Sequence, residues 1–286
     1  MTAVFDILFD GIAVAMVLFL ISIGLSITMG LMGIANLAHG ALAMLGAYVA
    51  VTAASAWHLP FAVALAFAFI ALVVVGAVVE RLFFRQLYEA GEIEQVLLTI
   101  GLVFVAIAGA TAVWGPLMLP MTLPALLHSH VELGPHRYPA YRLFLIVVGI
   151  ILTLAIWFGL ERTRMGAMIR AAVDDRRMAQ TLGIDTGLLF TLTFAIGSGI
   201  AGLGGALSVE VLGLTPIYAL EHLPLFLIVV AVGGLGSPRG TFLAAMVLGI
   251  CDTAAKFLAP AVGGFAIYVL ALVILLVRPQ GLWSRA

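Results

Sequence analysis

Between Met29 and Ala47 the chain reads Met-Gly-Leu-Met-Gly-Ile-Ala-Asn-Leu-Ala-His-Gly-Ala-Leu-Ala-Met-Leu-Gly-Ala, which sets one amide, Asn36, one imidazole, His39, and four glycines in a run otherwise apolar enough to cross a bilayer. In hydrocarbon an unpaired polar side chain or an unwound peptide costs several kcal/mol, so such groups persist only where they face other protein or a wet cavity. Two readings follow. Asn36 and His39, flanked by Gly33 and Gly40, line a route for a solute, or they bond to carbonyls freed at a helix break and hold the break together. Both predict a helix interruption here. A second cluster, Gly233, Gly234, Gly236 and Gly240 around Ser237-Pro238, ends a short apolar run that reads as a half helix or a re-entrant segment. The two clusters share their glycine spacing, a weak sign of an internal repeat.

The remaining polar residues in apolar runs invite plainer readings. Asp252 and Lys256 stand four apart on one helical face and should neutralise each other. Glu210 reads as an interfacial residue near the outer end of its span, rather than a guard of the external mouth. Ser22, Ser26 and Thr28 should bond back to their own helix. Gly197-Ser198-Gly199-Ile200-Ala201-Gly202 matches a dinucleotide-binding spacing, but it lies mid-span with no strand before it. Its small residues recur every four positions (Gly197, Ala201 and Gly205; Ser198 and Gly202), which predicts a face for close helix packing. Six dispersed histidines, His128 and His130 in one external loop among them, do not make a metal site. No nucleophile, base and orienting acid gather in one loop, so no catalytic residues and no metal ligands are assigned. Cys251, the only cysteine, reads as a small buried hydrophobe.

These side chains must be positioned by membrane-spanning helices. Of the 286 residues 64 % are hydrophobic and 9 % charged, and the mean hydropathy is +1.24, whereas a soluble domain carries roughly a quarter charged residues. The 13 basic and 14 acidic residues nearly cancel, so no field recruits nucleic acid. At about 20 apolar residues per crossing, nine apolar segments emerge, near 10–32, 34–57, 61–80, 96–114, 143–160, 188–212, 222–235, 241–258 and 262–278. The fold class expected is all-α: a polytopic helical membrane protein with eight or nine transmembrane segments, some broken or re-entrant, forming one domain over 1–286. No Lys or Arg precedes Arg81, so the first run lacks a signal-peptide n-region and should remain in the mature protein.

Arg162, Arg164, Arg170, Arg176 and Arg177 crowd into the loop 161–187, which the positive-inside rule makes cytoplasmic. Counting crossings from there puts the C-terminus and Arg81 inside, the loop 115–142 outside, and Met1 outside if 33–57 crosses rather than folds back. Within the loop, 166–182 reads as one short amphipathic helix, with Ile169, Ala172, Val173 and Ala179 apolar and Arg170, Asp174, Arg176 and Arg177 polar. Gly183 stops it, and Asp185 or Thr186 caps the next span. Such a helix serves equally as a solvated linker or as a docking element for a soluble partner. Lys256 is the only lysine and follows two alanines, so the chain has no phosphate-binding P-loop; any nucleotide use belongs to another polypeptide.

Four ordered motifs bring a family into view. Gly33-Ile34-Ala35-Asn36-Leu37-Ala38-His39-Gly40, the loop from Ile169-Arg170-Ala171-Ala172 through Leu182-Gly183-Ile184 to Leu192-Thr193-Phe194-Ala195, the turn Gly233-Gly234-Leu235-Gly236-Ser237, and Leu276-Val277-Arg278-Pro279-Gln280-Gly281-Leu282 resemble the branched-chain amino acid ABC importer permeases of the LivH-like branch. The resemblance spans nearly the whole chain. It departs at Ala41, where an acidic residue is usual, and at Leu37, where an aromatic one is.

The resemblance implies a permease subunit in a bacterial inner membrane that forms half of a translocation pathway and is not itself an enzyme. Its implied partners are a second, LivM-like permease, two cytoplasmic ABC ATPases that hold ATP and Mg, and a periplasmic substrate-binding protein; this chain would bind no cofactor. It also implies that the loop from Arg164 to Gly183, with Asp174, Asp175, Arg176 and Arg177, holds the coupling helix. Urea and short amides are the alternative substrates within the family. An ion-coupled secondary carrier or a channel is the alternative of a different class.

Overall fold

The computed structural model describes residues 2–33, 36–88, 90–133 and 136–283. Each of the nine apolar segments forms a helix: α1 (Thr2–Met32), α2 (His39–Ser55), α3 (Phe61–Leu82), α4 (Glu92–Trp114), α6 (Ala140–Arg162), α9 (Thr186–Leu212), α10 (Tyr218–Gly233), α11 (Pro238–Leu258) and α12 (Gly263–Val277). Six are long and apolar enough to cross a membrane. The other three, α2, α10 and α12, have 17, 16 and 15 residues, about 22–26 Å against a hydrocarbon core of about 30 Å. Between α4 and α6 lie the short α5 (Ala125–His128) and a two-stranded antiparallel hairpin of β1 (His130–Leu133) and β2 (His136–Pro139), so the chain is nearly, but not entirely, all-α. The hairpin is fixed to the start of α1, where the Tyr138 hydroxyl donates to Asp6 at 2.8 Å and Arg142 pairs with Asp10.

The expected single amphipathic helix over 166–182 is instead two, α7 (Arg164–Asp174) and α8 (Arg176–Thr181). The Asp175 backbone is extended and its carboxylate accepts from the Met178 amide at 2.9 Å, so a side chain that favours an N-cap starts a new helix where the pattern alone predicts continuation.

Contacts between helix ends fix the traverse. One end of the bundle is arginine-rich. There Glu161 at the end of α6 meets Arg239 at the start of α11, Gly30 near the end of α1 approaches Gly236, and the Leu282 amide donates to the Val232 carbonyl at 2.7 Å. At the opposite end the Trp114 indole donates to Thr52 at 2.7 Å and Phe61 packs on Phe144. The nine helices therefore alternate in direction; α1 starts at the opposite end and the chain from Arg278 onward lies at the arginine-rich one.

Two triplets of this path are related by inversion. The long helix, half helix and long helix α1, α2, α3 have 31, 17 and 22 residues; α9, α10, α11 have 27, 16 and 21 and run the other way. α1 packs along α9 and α11, and α9 packs along α1 and α3. Each leading helix ends on a glycine with left-handed backbone, Gly33 (φ 65°) and Gly213 (φ 77°). The repeat suspected from sequence thus exists in a different register: Gly33 corresponds to Gly213, not to Gly233. Inverted repeats of this sort recur in transporters.

Small residues hold the core together. A Cβ on Gly46 of α2 would run into the backbone of Gly202 of α9, and one on Gly205 into Ala43. The stripe predicted from Gly197, Ala201, Gly205, Ser198 and Gly202 is a packing face; all five are buried.

Candidate functional site

The depth at which α2 begins decides what this region can do. The His39 imidazole donates from Nε2 to the Ile21 carbonyl at 2.9 Å, and a Cβ on Gly24 would lie 2.9 Å from the ring. Ile21 precedes the end of α1 by 11 residues, roughly 16 Å of helix. After leaving α1 at Gly33 the chain has therefore climbed back to about mid-depth before α2 starts. From there α2 runs antiparallel to α3, with Leu42 clustering with Leu72, and Ala53 and Ala54 with Ala64, and ends beside Trp114. Within 33–57 the half helix α2 (His39–Ser55) thus begins at about mid-depth and completes the crossing to the Trp114 end. Ile34 and Ala35 of the recognised motif lie outside the described residues.

The inverted partner meets it there. A Cβ on Gly40, in the first turn of α2, would sit 3.0 Å from the Ala219 carbonyl, in the first turn of α10. Two half helices thus start against each other inside the bundle. Neither Ala38 nor Ile217 caps its helix with a side chain, and aligned peptide dipoles leave partial positive charge at such starts. Around α10 the Tyr218 and Ser208 hydroxyls are 2.7 Å apart, and Ser208 donates to the Gly205 carbonyl at 2.6 Å.

Asn36 and His39 part company in their bonding. His39 is fully buried and its Nε2 proton is committed to α1, which leaves Nδ1 as a bare acceptor without a partner among the described residues. Asn36 is 1 % exposed, and neither its amide nitrogen nor its oxygen has a partner among those residues. His39 bonds to α1, as the reading of a tied helix break expects, whereas Asn36 has no such bond among the described residues. A buried amide with its donors and acceptor idle demands an explanation.

The second glycine cluster has a simpler geometry. Gly234 (φ 95°) closes α10, Gly236 (φ 71°) turns the chain, and Ser237 caps α11 by accepting from the Gly240 amide at 3.1 Å. A Cβ on Gly233 would meet the Thr241 amide at 2.6 Å, and one on Gly240 would meet the Gly233 carbonyl. This turn belongs to the arginine-rich end and touches α1 at Gly30, three residues before Gly33, whereas Gly40 meets Ala219 and Leu223 at the start of α10.

Beside that turn lies the loop of α7 and α8. Thr163 caps α7 through the Gly166 amide at 3.1 Å, and Asp185 caps α9 through Leu188 at 3.0 Å. Gly183 (φ 82°) ends the loop helix as expected. Ile169, Ala172, Ala179, Leu189 and Phe190 bury one face together. Arg164, Asp174, Asp175 and Arg177 are exposed, and Arg170 donates back to the Leu160 carbonyl. The side chain of Arg176 lies outside the described residues.

Sequence reasoning missed Glu80. It is fully buried near the end of α3, accepting from the Thr191 hydroxyl at 2.6 Å and from the Tyr88 hydroxyl. Its place beside Arg81 makes it read as an ordinary boundary charge; only the return of Tyr88 and α9 encloses it. The serine and threonine expectations divide too: Thr28 bonds back to Gly24 at 3.0 Å, Ser26 instead accepts from Thr241 of α11 at 2.9 Å, and Ser22 has no partner among the described residues. The Asp252–Lys256 pair forms at 2.7 Å, and Glu210 is exposed at the last turn of α9.

A multi-pass helical bundle with an inverted repeat and half helices meeting inside it defines a membrane transport protein. Comparison with known proteins sharpens that class. Residues 7–277 match the family described as the branched-chain amino acid transport system permease component, and the chain belongs to that family, as a transport subunit rather than an enzyme. It is similar to the high-affinity branched-chain amino acid transport system permease protein LivH of Escherichia coli K12, 26 % identical over 97 % of this chain and 94 % of the relative. BraD of Pseudomonas aeruginosa, of the same description, is 27 % identical over 97 % and 95 %. A probable branched-chain amino acid transport permease LivH of Methanocaldococcus jannaschii is 26 % identical over 93 % and 88 %. No solved structure matches the chain.

Proposed function

We propose that this chain is one membrane subunit of an ABC importer for branched-chain amino acids in a bacterial inner membrane, forming half of the pathway together with a second permease. Substrate arrives from a periplasmic binding protein, and two cytoplasmic ATPases supply the drive through the α7–α8 loop, with Arg164, Asp174, Asp175 and Arg177 facing them. What carries the reading is the buried Asn36 amide, which has no partner among the described residues, just before α2. With the uncapped starts of α2 and α10 beside it, it supports transient binding of a small zwitterion, whose carboxylate suits helix N-termini. The names of the relatives support the substrate class. The arginine-rich end is then cytoplasmic, and the C-terminus with it.

The test is uptake of labelled leucine into vesicles containing the second permease, the ATPases and the binding protein. Asn36→Leu is expected to cut uptake while the assembly forms normally. Unchanged uptake would remove Asn36 from the route, and uptake by the chain alone under an ion gradient would replace the importer by a secondary carrier.

A further inference from the structure

α6 and α11 each pack along α1 and meet each other at the Glu161–Arg239 pair, and a furrow lies between them. It measures about 490 Å3, is floored by Phe19 and Phe242, whose rings meet edge to face at 5.3 Å, and is walled by Ile150, Leu154 and Trp157 on one side and Leu243 on the other. Ile150, Leu154 and Trp157 recur on one helical face. Ile150 stands at the middle of α6 and Trp157 near its arginine-rich end, so the furrow covers one half of the crossing. A furrow one leaflet deep that ends at arginine and tryptophan side chains matches the acyl chain and headgroup of a lipid.

At its arginine-rich end the furrow adjoins a second cavity of about 440 Å3; Trp157, Pro238, Arg239 and Trp283 line both. The second adds Glu161, Arg170, Gly236 and Ser237, which places two guanidinium groups against one carboxylate. Arg239 donates to Glu161 from two nitrogens at 3.0 and 2.6 Å and lies over the Trp157 ring at 5.3 Å. A guanidinium carries five N–H donors, so that pairing leaves Arg239 with capacity for a phosphate. Tryptophans in this position are typical of the bilayer interface.

We propose that the two cavities together form a binding site for one anionic phospholipid of the leaflet at the arginine-rich end. One acyl chain lies along Phe19, Leu154 and Phe242, and the phosphate lies between Arg170 and Arg239. Because Arg170 belongs to α7 and Arg239 to the start of α11, the bound lipid joins the loop helix to the bundle.

The proposal is tested by native mass spectrometry of the full chain, released from micelles doped with phosphatidylglycerol or with phosphatidylcholine of the same acyl chains. Retention of phosphatidylglycerol should be about fivefold higher, the factor expected of one arginine near an anionic headgroup. Arg239→Gln should remove the preference. Glu161→Gln, which frees Arg239 from its partner, should raise it, and this opposite sign separates lipid binding from general damage to the ion pair. Leu154→Phe, which narrows the furrow, should weaken retention of both lipids. Equal retention of the two lipids, a preference indifferent to both Arg239→Gln and Glu161→Gln, or displacement of the lipid by inorganic phosphate would each overturn the proposal.

Discussion

At the scale of single residues, the polar groups inside the bundle separate by whether they have work to do in holding the fold. The Asn36 side chain has no hydrogen bond among the described residues, so replacing it with leucine removes a desolvated amide without breaking a bond to any of them. Asn36→Leu should leave thermal stability unchanged or raised, while uptake falls roughly tenfold or more, the equivalent of a lost hydrogen bond to a charged group of about 1.5–3 kcal/mol. Thermal unfolding followed alongside uptake checks both halves. Glu80 is the reverse case. Glu80→Ala leaves the Tyr88 and Thr191 hydroxyls without their carboxylate and should cost about 1–3 kcal/mol, whereas Glu80→Gln, which still accepts from both, should retain most of the stability in the same measurement.

At the scale of elements, the half helices depend on backbone contact with their neighbours. A side chain on Gly46 meets the Gly202 backbone, which cannot retreat as a flexible side chain would. Gly46→Val should therefore cost at least the roughly 1–3 kcal/mol typical of overpacking, read as lost yield of folded protein, while Gly109→Val, where a Cβ meets nothing within 4 Å, should be tolerated. The loop offers a gentler change. Asp175→Ala removes the cap that starts α8 at a cost of about 1 kcal/mol. On the proposed coupling through α8, an importer assembled with this variant and separate ATPases should take up less substrate per ATP that the ATPases hydrolyse, and Asp175→Asn, also a good cap, should restore the ratio.

At the scale of the whole molecule, an odd number of traverses puts the start of α1 and the chain after α12 at opposite ends. In a Cys251→Ser background, cysteines at Arg177 and Pro279 should react with an impermeant maleimide from one side of the membrane, and a cysteine at Phe257 from the other. Labelling of all three from one side would refute the traverse. Reaction of the first two from outside intact cells would leave the traverse standing and invert the orientation drawn from the arginines.

Much of this was legible in the residues. All nine helices could be placed because hydrocarbon admits only long apolar runs with internally bonded backbone. The caps at Asp185 and the stop at Gly183 were readable because they are local, and so was the Asp252–Lys256 pair, one helical turn apart. The short run ending at Gly233 read as a half helix or a re-entrant segment by its length, and the structure makes it the 16-residue α10. What tertiary structure decided is everything that depends on a partner distant in the chain: the bond from His39 to Ile21 that sets the depth of α2, the meeting of Gly40 with Ala219, the register of the inverted repeat, and the enclosure of Glu80. A sequence states which groups must avoid lipid; only the packing of helices against one another determines which of them, like His39, find a partner and which, like Asn36, have none among the described residues.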